Sequence, residues 1–215
     1  ICRVNGERLY LKGVTLSPVR ADLAHAGRDE ILGVLRSVRD AGIDLVRVHA
    51  HLSRPELYEA ADELGLLVWQ DLPMVHRFSR SVRAQAARQA REAVDLVGHH
   101  PSVAIWCAHD ELYVVKGERH EAISPGFLRQ QLPTWNRSIL DRSLKRVLLR
   151  NDGSRPVIAH SGVAPHLPQL DGTDAHLWFG WYARAASDLA HFARTLPRHV
   201  RFVSAFGAQA APDPA

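Results

Sequence analysis

The sequence predicts an α/β fold, a (β/α)8 TIM barrel truncated after its seventh strand, and three observations carry that expectation. Short apolar or β-branched runs alternate with amphipathic segments of roughly ten to twenty residues, which implies parallel strands joined by right-handed crossovers. No glycine-rich phosphate loop follows the first strand, where "LKGVTLSP" has one glycine, so a closed barrel is favoured over an open doubly wound sheet. The apolar runs end in polar or reactive groups, as barrel strands do where their C-terminal ends build a site.

Strands are expected at "LYLKGVTL" (9–16), "DLVRVHA" (44–50), "LLVWQD" (66–71), "SVAIWCA" (102–108), "PVIAHSG" (156–162), "DAHLWFG" (174–180) and "RFVSAFG" (201–207). A helix over 28–41 opens with Asp29 and Glu30, acidic groups that suit a helix N-terminus, and stops at Gly42. Another over 55–64 has Pro55 in its first turn and Gly65 after it. Further helices are expected over 80–98, ending at Gly98, over 125–148 and over 186–195. A whole barrel takes about 250 residues. The chain has 215 and closes on "AQAAPDPA" soon after the seventh run, so the eighth strand is expected to be absent and a seam open between strands one and seven. Because residue 1 is Ile, the chain reads as a fragment, one domain spanning 1–215.

Composition narrows the function. With 46% hydrophobic and 23% charged residues the chain is an ordinary globular domain. No apolar run approaches the ~20 residues of a membrane span, so no membrane partner is expected. The 27 basic against 23 acidic residues leave a net charge of only +4, and "RSVRAQAARQARE" (80–92) reads as a solvated helix face, so no nucleic-acid partner is expected. Cys2 and Cys107 make no disulfide framework; Cys107 reads as a buried thiol, and a reducing cytoplasm is favoured. Oligomeric state is open.

The strand ends allow three chemistries. Glu111, closing "AIWCAHDEL", is placed for acid/base work by its apolar walls, or pairs with an arginine on the rim. His49 and His51 form an H-x-H pair which, with His109, His160, His176 and Asp174, suggests a metal-dependent hydrolase. Trp69, Trp106, Trp178 and Trp181 are either aromatic platforms for a sugar or core residues.

Four motifs in order choose among these. "VNGERLYLKGV", "AGIDLVRVHAHLSRPELYEAADELGLLVWQD", "HHPSVAIWCAHDE" and "RFVSAFGAQAAP" resemble the catalytic barrel of glycoside hydrolase family 2, which includes β-mannosidases, β-galactosidases and β-glucuronidases; "VWQD" is nearest the β-mannosidase-like members. The resemblance implies upstream β-sandwich modules, a β-glycoside substrate, no cofactor, and a retaining mechanism with two carboxyl groups about 5–5.5 Å apart. Glu111 matches the acid/base. Arg47 matches the arginine that supports the nucleophile, while His49, His51, His160 and Trp181 are pocket residues by position.

Three positions depart from the family pattern. Ser-Glu-Phe-Gly is Ser204, Ala205, Phe206 and Gly207 here, and a methyl group cannot attack an anomeric carbon. With Ala205 in place, Arg47 is expected to lack its partner. Asp110 stands where relatives have Asn, placing a second negative charge beside Glu111 unless it is protonated and donates a hydrogen bond. Trp178 replaces a common Tyr. The expectations are an impaired glycosidase, a sugar-binding pseudoenzyme, or the metal-dependent hydrolase.

Overall fold

The computed structural model describes residues 2–4, 6–110, 132–162, 174–180 and 185–207. The chain enters through an antiparallel hairpin, β1 (Cys2–Val4) and β2 (Glu7–Leu9), with Gly6 at φ +86° in its turn. This corrects the expected absence of hairpins and divides the first expected strand. The Asn-Gly dipeptide at 5–6 is the hairpin signal that identifies it.

Five parallel strands follow in sequential order: β3 (Gly13–Leu16), β4 (Leu45–Val48), β5 (Leu67–Asp71), β6 (Val103–Cys107) and β7 (Val157–Ile158). Two more, β8 (Ala175–Leu177) and β9 (Val203–Phe206), form a separate parallel pair. All seven expected runs thus contain a strand, in an arc that does not close among the described residues. The relation to a TIM barrel lies in the repeated right-handed β–α–β order.

The helices between the strands supply the outer layer. In α1 (Arg28–Asp40) Ile31 and Leu35, one turn apart, are both buried. In α2 (Pro55–Leu64) Pro55 occupies the first turn, and Gly65 ends the helix in the left-handed conformation at φ +70°. In α3 (Arg83–Val97) Ala86, Ala90 and Ala93 form a small-residue stripe that lets the helix lie close to its neighbours. A π-helical turn over Asn136–Asp141 runs into α4 (Arg142–Asn151), whose Leu144 and Leu148 are buried; α5 (Asp188–Thr195) precedes β9. Burying each such leucine stabilises the fold by about 2 kcal/mol.

The helix expected over 125–148 is therefore displaced. Residues 132–134 are not helical and the helix continues to Asn151, because Pro133 disfavours helical geometry in the residue before it; 125–131 lie outside the described residues.

Strand alternation sorts the core into two layers. Val46, Val48, Val68 and Trp106 face the helices in the main apolar cluster. Leu45, Trp69, Ile105 and Cys107 form a second cluster on the inner face. Trp106 and Trp69 are thus core residues, 0% and 2% exposed, and offer no platform to a sugar. Cys107 is buried as expected, and burial pushes its thiol pKa well up. No helix among the described residues is long and apolar enough to cross a membrane.

Candidate active site

The inner face carries apolar residues low on the strands and polar residues at their C-terminal ends. Arg47 on β4 pairs in register with Trp69 on β5, and its guanidinium carbon lies 4.8 Å from the centre of that indole ring. The Trp69 ring stacks on Phe202 and its Nε1–H donates to Asp71 Oδ1 at 2.7 Å. Trp69 is therefore a floor for the arginine, fixing its plane from below.

Arg47 has no carboxylate to meet at position 205, as expected, and it pairs with two others. Its Nε–H donates to Asp71 Oδ2 at 3.0 Å and its Nη2–H to Asp110 Oδ1 at 2.5 Å, with all three side chains at most 3% exposed. Its Nη1 reaches toward His176 Nε2 at 3.4 Å. Burial alone would lower the arginine's pKa, but the two carboxylates reverse that and hold it above its ordinary value. For Asp71 burial wins and pushes its pKa up, against the pull of Arg47.

Asp110 is held from both sides. Its backbone bridges residue 75 on one flank and Ser161 on the other: its N–H donates to the Met74 carbonyl at 2.8 Å, and the Ser161 N–H donates to the His109 carbonyl at 2.9 Å. Its Oδ2 accepts from His49 Nε2–H at 2.7 Å. Burial would raise the Asp110 pKa; the His49 hydrogen bond and the Arg47 charge overcome this and keep it far below the usual carboxylate range. A protonated, hydrogen-bond-donating Asp110 is thereby replaced by an ionised acceptor whose charge is largely matched.

His49 is the half-exposed member of this set, and its hydrogen bond to Asp110 raises its pKa. A raised histidine stabilises the fold fully below its unfolded value of about 6.5, and that contribution is lost as pH rises through the higher folded value. Asp110, depressed, contributes above about 3.9 and loses its contribution as pH falls. The thermal midpoint is therefore expected to fall as pH rises above about 6.5 in the unmodified chain. His49→Gln flattens that limb by about 2 °C, a small effect because the imidazole is partly solvated. Equal slopes in thermal melts of the two forms would contradict it.

The other histidines do not converge on a metal. His51 turns back to donate from Nδ1 to the His49 carbonyl at 2.9 Å, and burial lowers its pKa. His109 is fully buried: Nε2 donates to the His76 carbonyl, and Nδ1 shares a 2.7 Å hydrogen bond with Asp141 Oδ1. His160 Nδ1 lies 3.4 Å from Asp141 Oδ2. One donor set, His49, Asp71 and Asp110, places a ligand atom from each within 4.8 Å of the others. Both of its carboxylates already bind the Arg47 guanidinium, and that charge opposes a cation at the same place.

His176 and Ala205 are register partners on β8 and β9, so both project to the same face, the one on which the imidazole meets Arg47. Ser161 and Ser204 both donate to Asp174 Oδ2, and Ser161 Oγ lies 3.1 Å from His176 Nε2. Gly162, at φ +70°, lets the chain pass the His176 ring, where an added Cβ would sit 2.4 Å from Nδ1. Gly162→Ala is expected to cost about 2 kcal/mol, read as a lower midpoint in denaturant. Trp178 meets His176 edge-on, ring centres 5.7 Å apart. Glu111 and Trp181 lie outside the described residues.

Two groups escaped the sequence reading. Asp141 stands among Arg137, Leu140, Leu144 and Leu148, all buried, and a carboxylate on the apolar face of a helical segment is the signal that marks it. Asp71 stood out only as a polar strand end, with nothing local to assign it to Arg47, 24 residues away.

A parallel β–α arc with Arg47, Asp71, Asp110 and His176 gathered at its strand ends is a barrel domain like those of glycoside hydrolase family 2. No family model matches the chain. It is similar to β-mannosidase of Capra hircus, 26% identical over 98% of this chain and 25% of the relative, and to β-mannosidase B of Thermothelomyces thermophilus, 28% identical over 97% and 25%. Among solved structures it shares its fold with β-D-mannosidase of Dictyoglomus thermophilum, with a TM-score of 0.69 at 22% identity, covering 97% of this chain and 25% of that one. It also shares it with β-glucuronidase 2 of Bacteroides uniformis, with a TM-score of 0.71 at 21% identity, covering 96% and 26%. The chain spans about a quarter of the length of the curated relatives it matches.

Proposed function

We propose that the chain is the barrel portion of a β-glycosidase-type protein that holds a β-glycoside, of the mannoside or glucuronide class, at the C-terminal ends of its strands. In this reading Glu111 is the general acid/base that protonates the departing glycosidic oxygen. Position 205 is the place of a nucleophile, and with Ala205 there the double displacement has no attacking carboxylate, so hydrolysis is impaired. His49 and His51 line the polar rim against which sugar hydroxyls dock, with the buried Asp110 holding His49 from behind; His160 and Trp178 flank it.

The observation that carries the reading is the constellation of Arg47, Asp110 and His49. It lies at the ends of β4 and β6 and stands next in the chain to Glu111, in a sequence similar to β-mannosidases over nearly all its length. A second reading, a sugar-binding domain without catalysis, is favoured by Ala205 itself. The metal-dependent alternative is disfavoured by the arginine that divides the two carboxylates of the only candidate donor set among the described residues.

The test uses the full-length protein with aryl β-mannoside, β-glucuronide and β-galactoside. Calorimetric binding of at least one, with turnover lower by orders of magnitude than a family enzyme needs, is the expected result. Binding of none would sink the glycoside reading. Activity that appears with added zinc and disappears with chelator would favour the metal alternative.

A further inference from the structure

We infer that Asp110 is the counter-ion that holds Arg47 in place of a carboxylate at position 205, so that the two positions are mutually exclusive for negative charge. This rests on reading position 205 as the site of a lost nucleophile. The guanidinium has its Nε committed to Asp71 and its Nη2 to Asp110, with its Nη1 turned to His176, so its single positive charge is already shared by two carboxylates. Ala205 stands beside His176 on the same face, so a longer acidic side chain there is directed at the same guanidinium. The surroundings already hold three carboxyl groups: Asp71, Asp110 and Asp174 are each at most 2% exposed, and two of them, Asp71 and Asp110, pair with Arg47. A third carboxylate brought to Arg47 would meet the buried charge of Asp110, where like charges repel more strongly than in water.

The consequence is that Ala205 cannot be repaired alone. Asp110 is a positioning residue here: it fixes Arg47 and His49, and its charge decides whether position 205 accepts an anion. Asn at 110 keeps the size of the side chain and gives up the charge, which frees the Nη2 edge of Arg47 for a carboxylate arriving from β9.

The experiment is a cycle in the full-length protein of the unmodified form, A205E, D110N and A205E/D110N, with A205Q as the neutral isostere. A205E is expected to melt about 5 °C or more below A205Q, and A205E/D110N to regain most of that difference. Formate at 0.1–1 M is expected to raise the midpoint of D110N by about 2 °C, leave the unmodified form unmoved, and lose its effect in A205E/D110N, where a tethered carboxylate fills the place. A merely structural Asp110 would not create a formate response. Equal midpoints for A205E and A205Q, or a formate response in the unmodified form as large as in D110N, would overturn the proposal, and the first comparison holds even if D110N does not fold. If the coupling appears but no form binds a β-glycoside, the counter-ion stands and the glycoside reading fails. If glycoside binds but coupling is absent, the reverse holds.

Discussion

Replacing Arg47 with Ala is expected to lower the thermal midpoint by about 10 °C, the largest effect of any single side chain in the site. Removing one partner of a buried ion pair typically costs about 3–5 kcal/mol, because the charge left behind is desolvated and unmatched. Here two carboxylates lose their cation at once: Asp71 and Asp110 are each within 3.0 Å of the guanidinium and at most 2% exposed on their side chains. At roughly 2–4 °C per kcal/mol for a domain of this size, the midpoint falls by that amount or more. The variant is also expected to melt at higher midpoint as pH drops toward 4, since protonating the stranded carboxylates relieves their repulsion. Arg47→Lys keeps the charge but has no planar fork to serve both carboxylates, and falls between the two. An Ala variant within 2 °C of the parent would show that the pair is solvated and the buried network wrongly drawn.

Asp141→Ala ranks second. Asp141 is fully buried and shares a hydrogen bond with His109 Nδ1, while the other ring nitrogen of His109 donates to the His76 carbonyl. Those contacts tie the segment after β6, and with it Asp110 and the chain leading to Glu111, to the helical segment 136–141 and to the loop at 74–76. Without the carboxylate a buried ring nitrogen is orphaned and a cavity opens, for about 3 kcal/mol. The expected readouts are a midpoint lower by about 6–10 °C and a weakened affinity for β-glycoside. Asp141→Asn, which still offers an acceptor, is expected to recover much of both. Full stability in the Ala form would mean that His109 is held by packing alone.

Much of the fold is legible in the chain because its signals are local. The helix over 55–64 is bracketed by Pro55 and Gly65, residues whose backbone preferences act within one turn, and its observed bounds are Pro55–Leu64. The runs at 44–50, 66–71 and 102–108 are rich in apolar residues, as strands buried on both faces are, and each contains its strand, with Arg47 and Asp71 the charged residues within those strands. The hairpin at 2–9 is equally local, carried by the Asn-Gly dipeptide just before the run at 9–16. The helix start near 136 moved because Pro133 outweighed an amphipathic pattern that continued upstream of it.

The site divides differently. Order and type of residue by themselves determined that Ala205 carries no carboxylate, that Asp110 precedes Glu111, and that the polar groups gather at strand ends. Only the tertiary structure decided where the charge on Arg47 goes. Its partners stand 24 and 63 positions away, and no periodicity links them. What brings them together is parallel register. Arg47 lies opposite Trp69, Asp71 lies opposite Cys107 on the next strand, and the bridges at Asp110 set the end of β6 against its neighbours. In a buried interior an arginine cannot remain unmatched, so its charge is met by Asp71 and Asp110.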